Sequence, residues 1–343
     1  MRKPASSFAL LCSTLLAAGL MAFAPSGFSP AHASVKFVSA PNRVDIAYDD
    51  TRGLLYITSG DEMLRYQLSS KSFQTPVTIG GASLMGMDIS PDGTTAAIAD
   101  AVPGASDNYI HLVNLDTLAV TTVQFPLDGA AGTFTTAYGA DGKLVVSCEF
   151  NGSGWVPLWL YDPASGSETN LGTVTQDTML SSSANGKAVA LAESNNSGGP
   201  FGYYRFKSGA LNQNGGTGWF NFEIGVNRNA TRYAIPTYGG TFIADQNLQM
   251  TGTVIGTYAG NLPIAAAFHP TRNLVYFPFT GTTDVEVYNT KTWTLVKSYD
   301  FKDTFQWNGN TAFVQGRTRL SKDGSLLFVT VTGGVGYVAT THK

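Results

Sequence analysis

The chain has 343 residues, of which 13% are charged and 43% hydrophobic, with 38 glycines, two cysteines and a formal net charge of −3. No basic cluster follows the first residues, which excludes the phosphate-neutralising surface that nucleic-acid binding needs. Two cysteines exclude a disulfide framework, so stability must come from packing, for which a chain of this length has ample core.

Taken from the N-terminus, Arg2 and Lys3, an apolar run from Phe8 to Ala24 and the small-x-small triplet Ala31-His32-Ala33 have the form of a cleaved export signal. Cleavage after Ala33 is expected, leaving one domain over residues 34–343 that is secreted or periplasmic. Ser and Gly interrupt the apolar run and Pro25, Gly27 and Pro30 follow it, against a membrane anchor. Leu11 stands before Cys12 where a lipoprotein would carry a small residue. No later apolar run is long enough to span a bilayer, and a monomer is expected.

The mature chain opens on "VKFVSA", a strand without a neighbour in sequence. A unit then begins to repeat at intervals of roughly forty to fifty residues, the period range of propeller blades. Its clearest copy is "MDISPDGTTAAIAD", residues 87–100, two strands joined at Pro91-Asp92-Gly93. The same frame stands at Asp141-Gly142 before "KLVVSCE", at Asn185-Gly186 before "KAVALAE" and at Asp323-Gly324 before "SLLFVTV". Looser copies occur at Thr51-Arg52-Gly53, Arg228-Asn229-Ala230 and Thr271-Arg272-Asn273. Asx-Gly between apolar runs marks a hairpin, because glycine accepts the positive φ of a tight turn. A third strand follows each hairpin, as in "YIHLVNLDT", "PLWLYDPAS", "DVEVYNTKT" and "MLRYQLSSK", and then a fourth, as in "LAVTTVQF" and "WTLVKSYDF".

This pattern predicts an all-β, seven-bladed β-propeller with four-stranded antiparallel blades, whose closed ring leaves no long exposed sheet edge. The last unit, from about Gly316, has only three strands. The spare N-terminal strand is therefore expected to complete it and close the ring. Two stacked β-domains are the other arrangement the strand count allows.

"YITS" over residues 56–59, "FVTV" over residues 328–331 and the third strand "HLVNLDTLAV" resemble the YVTN-repeat group of β-propellers. Its repeat runs Pro-Asp-Gly, Tyr-Val-Thr-Asn, then Val-x-Val-Ile-Asp. The resemblance is at the level of the repeat and covers nearly the whole mature chain. That group is similar to lactonase-like propellers, archaeal surface-layer proteins and quinoprotein-dehydrogenase subunits. The resemblance thus implies a shape, with no catalytic residues to carry over.

Seven residues past the turn glycine, three consecutive units place Asp100, Glu149 and Glu193, where the others have Gly60, Thr237, Thr280 and Val331. Neighbouring carboxylates at one strand exit can hold a hard cation such as Ca2+, or raise one another's pKa for acid–base work. Equally, each can cap its own loop by accepting backbone N–H bonds. The loops after these acids are the longest in the chain and carry Trp155, Phe201, Tyr203 and Tyr204, with Asn151, Asn195 and Asn196 beside them. Two further loops bring Trp219 and Trp307. Such aromatics either stack on a glycan or another apolar ligand, or pack between blades.

After cleavage His111, His269 and His342 remain, and Cys148 is the one cysteine. Nothing has the spacing of a zinc site, a hydrolase nucleophile elbow or a phosphate loop. His269 precedes a turn proline and is read as a turn or core residue, and Cys148, inside a strand, as a small buried hydrophobe. The sequence therefore suggests an exported binding or scaffold module that engages a glycan, a protein partner or a metal at the channel mouth near the three acids. A lactonase-like hydrolase or carbohydrate-active lyase is the competing reading. A subunit resembling quinoprotein dehydrogenases is the third, without its own haem-attachment motif.

Overall fold

The computed structural model describes residues 34–150, 154–194, 196–256, 261–305, 313 and 316–340. The expected signal segment, Asn151, Asn195, Trp307 and His342 lie outside the described residues. Among those described there is no helix, and the strands form seven four-stranded antiparallel sheets arranged as the blades of a propeller.

One strand, β1 (Lys36–Ser39), precedes the first full blade, which comprises β2 (Ile46–Asp49), β3 (Leu54–Ser59), β4 (Glu62–Gln67) and β5 (Ser72–Thr78). The second contains β6 (Leu84–Ile89), β7 (Thr95–Asp100), β8 (Asp107–Asn114) and β9 (Val120–Pro126). The third contains β10 (Thr133–Tyr138), β11 (Leu144–Cys148), β12 (Trp155–Asp162) and β13 (Ser167–Thr175). The fourth contains β14 (Thr178–Ser182), β15 (Ala188–Glu193), β16 (Pro200–Arg205) and β17 (Ala210–Gly216). The fifth contains β18 (Gly225–Val226), β19 (Arg232–Thr237), β20 (Gly240–Asp245) and β21 (Met250–Ile255). The sixth contains β22 (Ala267–Phe268), β23 (Leu274–Pro278), β24 (Asp284–Asn289) and β25 (Thr294–Asp300). The seventh is β26 (Thr318–Leu320), β27 (Leu326–Val331) and β28 (Gly334–Ala339), completed by β1 in the order β1-β28-β27-β26.

Closure thus follows the expectation from the spare strand. Phe37 pairs with Gly336 and Val38 with Val335, and Val38 is the residue of β1 that enters the core. Position within a blade sets burial. The second strands β3, β7, β11, β15, β19, β23 and β27 are almost wholly buried, because a neighbouring blade covers each face. They accordingly read as unbroken apolar runs, whereas the fourth strands, such as β5 and β13, face solvent along most of their length. Blade-to-blade packing is aromatic where it is deepest. Phe125 at the edge of the second blade lies 5.8 Å from Trp159 and 6.0 Å from Tyr161 of the third, and burying such a ring contributes about 1.5–3 kcal/mol.

The turns joining first to second strands all lie on one face of the ring. Gly53, Gly93, Gly142, Gly186 and Gly324 take positive φ there, the requirement that placed them in the repeat. The loose copies diverge: Ala230 adopts φ 53° without glycine's freedom, and Asn273 does not enter the left-handed region. These turns hold one another. Ala140 N–H donates to Gly186 O, Asn185 N–H to Arg228 O, Arg52 Nη1 to Gly93 O and Lys322 N–H to the Asp50 carboxylate. The mouth on this face is a hydrogen-bonded rim of turns.

Candidate functional site

The three acids sit at the other face, at the exits of β7, β11 and β15, and their environments differ. Asp100 is buried, and its Oδ1 accepts from the N–H groups of Ser83 and Val102 at 2.8 and 2.9 Å. Its Oδ2 stands 3.1 Å from His111 Nε2, whose Nδ1 is 3.1 Å from Thr122 Oγ1. His111 therefore ties the third strand of this blade to the acid at the end of the second. Glu193 is also buried, its Oε2 accepting from Thr175 N–H at 3.0 Å and Thr175 Oγ1 at 2.8 Å. Both carboxylates fasten one blade or loop to the next, the capping role the sequence left open.

Glu149 differs. It is half-buried, and no hydrogen bond reaches its carboxylate among the described residues. Burial, with the nearby Asp177 and Asp100 charges, pushes its pKa up to about 7. Among the described residues no group of three or more His, Cys, Asp and Glu side chains could hold a metal ion. Cys148, next to Glu149, is buried with its pKa pushed well up by burial, the chemistry of an inert core thiol.

The candidate aromatics divide in the same way. Tyr204 is buried against Phe206, and Tyr203 stacks on Tyr233 of the fifth blade at 5.8 Å with the Arg205 guanidinium over its ring at 4.4 Å. Both pack between strands and blades. Trp155 is 66% exposed and Trp219 40%, the latter laid along the backbone at Gly239. His269 receives the N–H groups of Thr271 and Arg272 on Nδ1 and fills the space that a side chain at position 324 would occupy, a turn-capping role in line with its reading.

The densest chemistry lies on the channel axis, in residues the sequence reading did not single out. Asp45, just before β2, accepts Arg317 Nε and Nη2, each at 2.8 Å. Arg317 Nη1 lies 2.7 Å from Glu223 Oε1, an ion-pair distance without hydrogen-bond alignment. Arg319 closes the figure, donating from Nη1 to Glu223 and placing Nη2 3.5 Å from Asp45 Oδ1. The first, fifth and seventh blades are thereby joined across the axis. Burial would raise the Asp45 pKa, but the two guanidinium groups outweigh it and hold the carboxyl below its ordinary value. Burial likewise opposes the charge on Arg319, and Glu223 and Asp45 reverse the effect and raise it. The four side chains form a closed, charge-balanced ring, the arrangement in which buried ions are tolerated.

Phe313 covers one side of this ring. Its ring lies 4.8 Å from that of Phe134 and 4.9 Å from the guanidinium carbon of Arg317, and it packs, as Met85 does, against the core cluster that contains Phe134. A side chain at Gly86 would collide with it at 2.9 Å. On the other side the channel opens into a cavity of about 480 Å3, reaching the rim of turns and lined by Asp88, Tyr138, Ser181, Ser182, Phe268 and Arg319 among others. Its volume is in the range of small-ligand sites. This mouth is on the face opposite to the one that the three acids marked.

Asp88 projects from β6 into that cavity. Its carboxylate accepts Ile89 N–H at 2.9 Å and Tyr138 N–H at 2.8 Å, with Ser182 Oγ at 3.4 Å. Burial raises its pKa and Asp45 adds to the rise, while the two N–H donors and Arg319 oppose it.

No family model and no curated protein matches the chain. The likeness is to solved structures. A chain of the Kuenenia stuttgartiensis hydrazine synthase aligns with a TM-score of 0.66 at 13% identity, covering 89% of this chain and 98% of that one. It is one of 1508 matching chains, and at this identity the likeness establishes a shared propeller fold and no shared chemistry.

A sequence signal for the axial ring did exist. In a chain only 13% charged, Asp45, Glu223 and Arg317 each stand one or two residues before a short first strand. The frame anchored on turn glycines looks past that position to the far end of the second strand.

Proposed function

We propose that the protein is an exported, monomeric propeller that acts as a binding module, with its ligand site in the central channel on the face of the first turns. The observation that carries this reading is the cavity itself: walls of mixed polar and apolar side chains, Arg319 of the charge-balanced ring in its lining, and a mouth held by turn-to-turn hydrogen bonds. A rigid rim lowers the cost of ordering on binding, which favours recognition of small ligands. The signal-like N-terminus supports export. Among the described residues no helix is long and apolar enough to cross a membrane.

Native mass spectrometry of the mature protein against a library of saccharides, amino acids and nucleosides tests this reading. At least one compound should be retained by the natural protein and lost from Ala267→Trp, which fills the channel from a partly exposed position on its wall. Equal retention by that variant would move the site elsewhere.

One observation favours a second reading, a hydrolase or lyase acting at the opposite face. Glu149 is a carboxyl with a pKa near neutrality and no bond to a described residue, as a general acid–base requires. Turnover of a lactone or polysaccharide panel that disappears in Glu149→Gln, with the fold intact, would establish it.

A further inference from the structure

We infer that the channel cavity binds an uncharged, hydroxyl-rich ligand, a sugar residue held between the Asp88 carboxylate and the Arg319 guanidinium. The inference rests on the channel-binding reading above and names its ligand class.

Charge decides first. The charged residues of the lining are Asp88, Arg319 and Lys322, and Arg319 belongs to the buried ring with Asp45, Glu223 and Arg317, so three acids and three bases balance in and beside the cavity. An anion entering the cavity meets Asp88, and the guanidinium it would seek is already shared by Glu223 and Asp45. A cation meets Arg319 inside and Lys322 at the rim. A zwitterion needs a cationic fork not already paired, which Arg319 does not offer. A neutral ligand faces none of these penalties.

Hydrogen-bonding capacity decides next. Arg319 is deep in the channel yet has 25% of its side-chain surface exposed. Its hydrogen bonds to described residues run through Nη1, to Glu223 and to Thr318 O, and Nη2 faces Asp45 at 3.5 Å, so Nε is the donor that remains for a ligand. Asp88 Oδ1 accepts Ile89 N–H alone, and Oδ2 accepts Tyr138 N–H with Ser182 Oγ at 3.4 Å; because the single Ser182 proton also reaches Tyr138 O at 2.8 Å, both oxygens retain capacity for a further donor. Hydroxyl groups fit both, since one O–H donates to a carboxylate while its oxygen accepts from a guanidinium. Adjacent hydroxyls on one ring can engage both Asp88 oxygens at once. Ser181 and Ser182 also line the cavity, and so does the half-buried Phe268, an apolar surface for the C–H face of a sugar.

Titration calorimetry of the mature protein with methyl glucoside, methyl galactoside and methyl mannoside, set against glucuronate and glucosamine, tests this directly. At least one neutral hexoside should bind at least tenfold more tightly than either charged sugar. Asp88→Asn should weaken it tenfold or more, because an amide presents one acceptor oxygen where the carboxylate presents two. Should Asp88→Asn fail to fold, Phe268→Leu provides the second measure, with several-fold weaker binding expected. Tighter binding of a charged sugar overturns the inference and leaves the channel reading standing. So does the absence of any sugar binding when another library compound is retained by the natural protein and lost from Ala267→Trp. Neutral-sugar binding that Ala267→Trp leaves unchanged overturns both.

Discussion

Replacing Glu149 by glutamine isolates a single proton, and the sign of its effect follows from linkage. The ordinary value for this carboxyl is 4.5, and in the fold it is about 7, chiefly through burial and then through Asp177 and Asp100. The folded protein therefore holds the proton more tightly than the unfolded chain. The stability this contributes is fully present below about pH 4.5 and is lost as pH rises through about 7. For a fully buried group the loss would be about 3.4 kcal/mol, at roughly 1.4 kcal/mol per tenfold change in affinity. Glu149 is only half-buried, and solvent screening reduces this to about 1–2 kcal/mol. Glutamine keeps the size and never ionises. Glu149→Gln should thus unfold at about the same temperature as the natural protein near pH 4, and roughly 2 °C higher near pH 8, for a domain of this size. Differential scanning calorimetry at the two pH values reads the difference. An identical offset at both, or a less stable variant at high pH, would refute the assigned environment of Glu149.

Three other perturbations follow from the same geometry. Arg317→Met leaves Asp45 and Glu223 facing one arginine in place of two and should cost about 3–5 kcal/mol in urea unfolding, as uncompensated buried charges do; a loss under 1 kcal/mol would mean that water or rearrangement neutralises the ring. Removing residues 34–39 exposes the edge of β28 and opens the seventh blade; the melting temperature should fall and amide exchange along β28 should rise, and unchanged protection there would argue that closure does not depend on β1. Because both Asp100 oxygens and Glu193 Oε2 are engaged by protein groups, millimolar Ca2+ should leave the melting temperature unmoved, and a rise of several degrees would show that the acids turn to ligate it.

The architecture was legible in the sequence because its determinants are local. Each turn glycine answers a φ requirement at its own position, and each second strand is an unbroken apolar run because any blade in a ring covers both faces of its neighbour. The orphan strand "VKFVSA" told of closure for a similar reason: a three-stranded last blade leaves an edge that only a spare strand can pair.

The acids show where that reasoning stops. Asp100, Glu149 and Glu193 share a place in the repeat, yet Asp100 is bound to Ser83, Val102 and His111, Glu193 to Thr175, and Glu149 to none of the described residues. Position in a repeat fixes where a side chain starts, and its neighbours fix its chemistry. The sequence by itself thus determined the strands, the blade count and the ring. Only the tertiary structure decided that Asp45 meets Arg317 from 272 positions away and that Arg319 meets Glu223 across 96. It also decided that the open cavity lies on the face opposite the conspicuous acids, with Asp88 on its wall. The physical reason is that a propeller's channel takes single residues from every blade, and their meeting is set by ring closure, which no local period encodes.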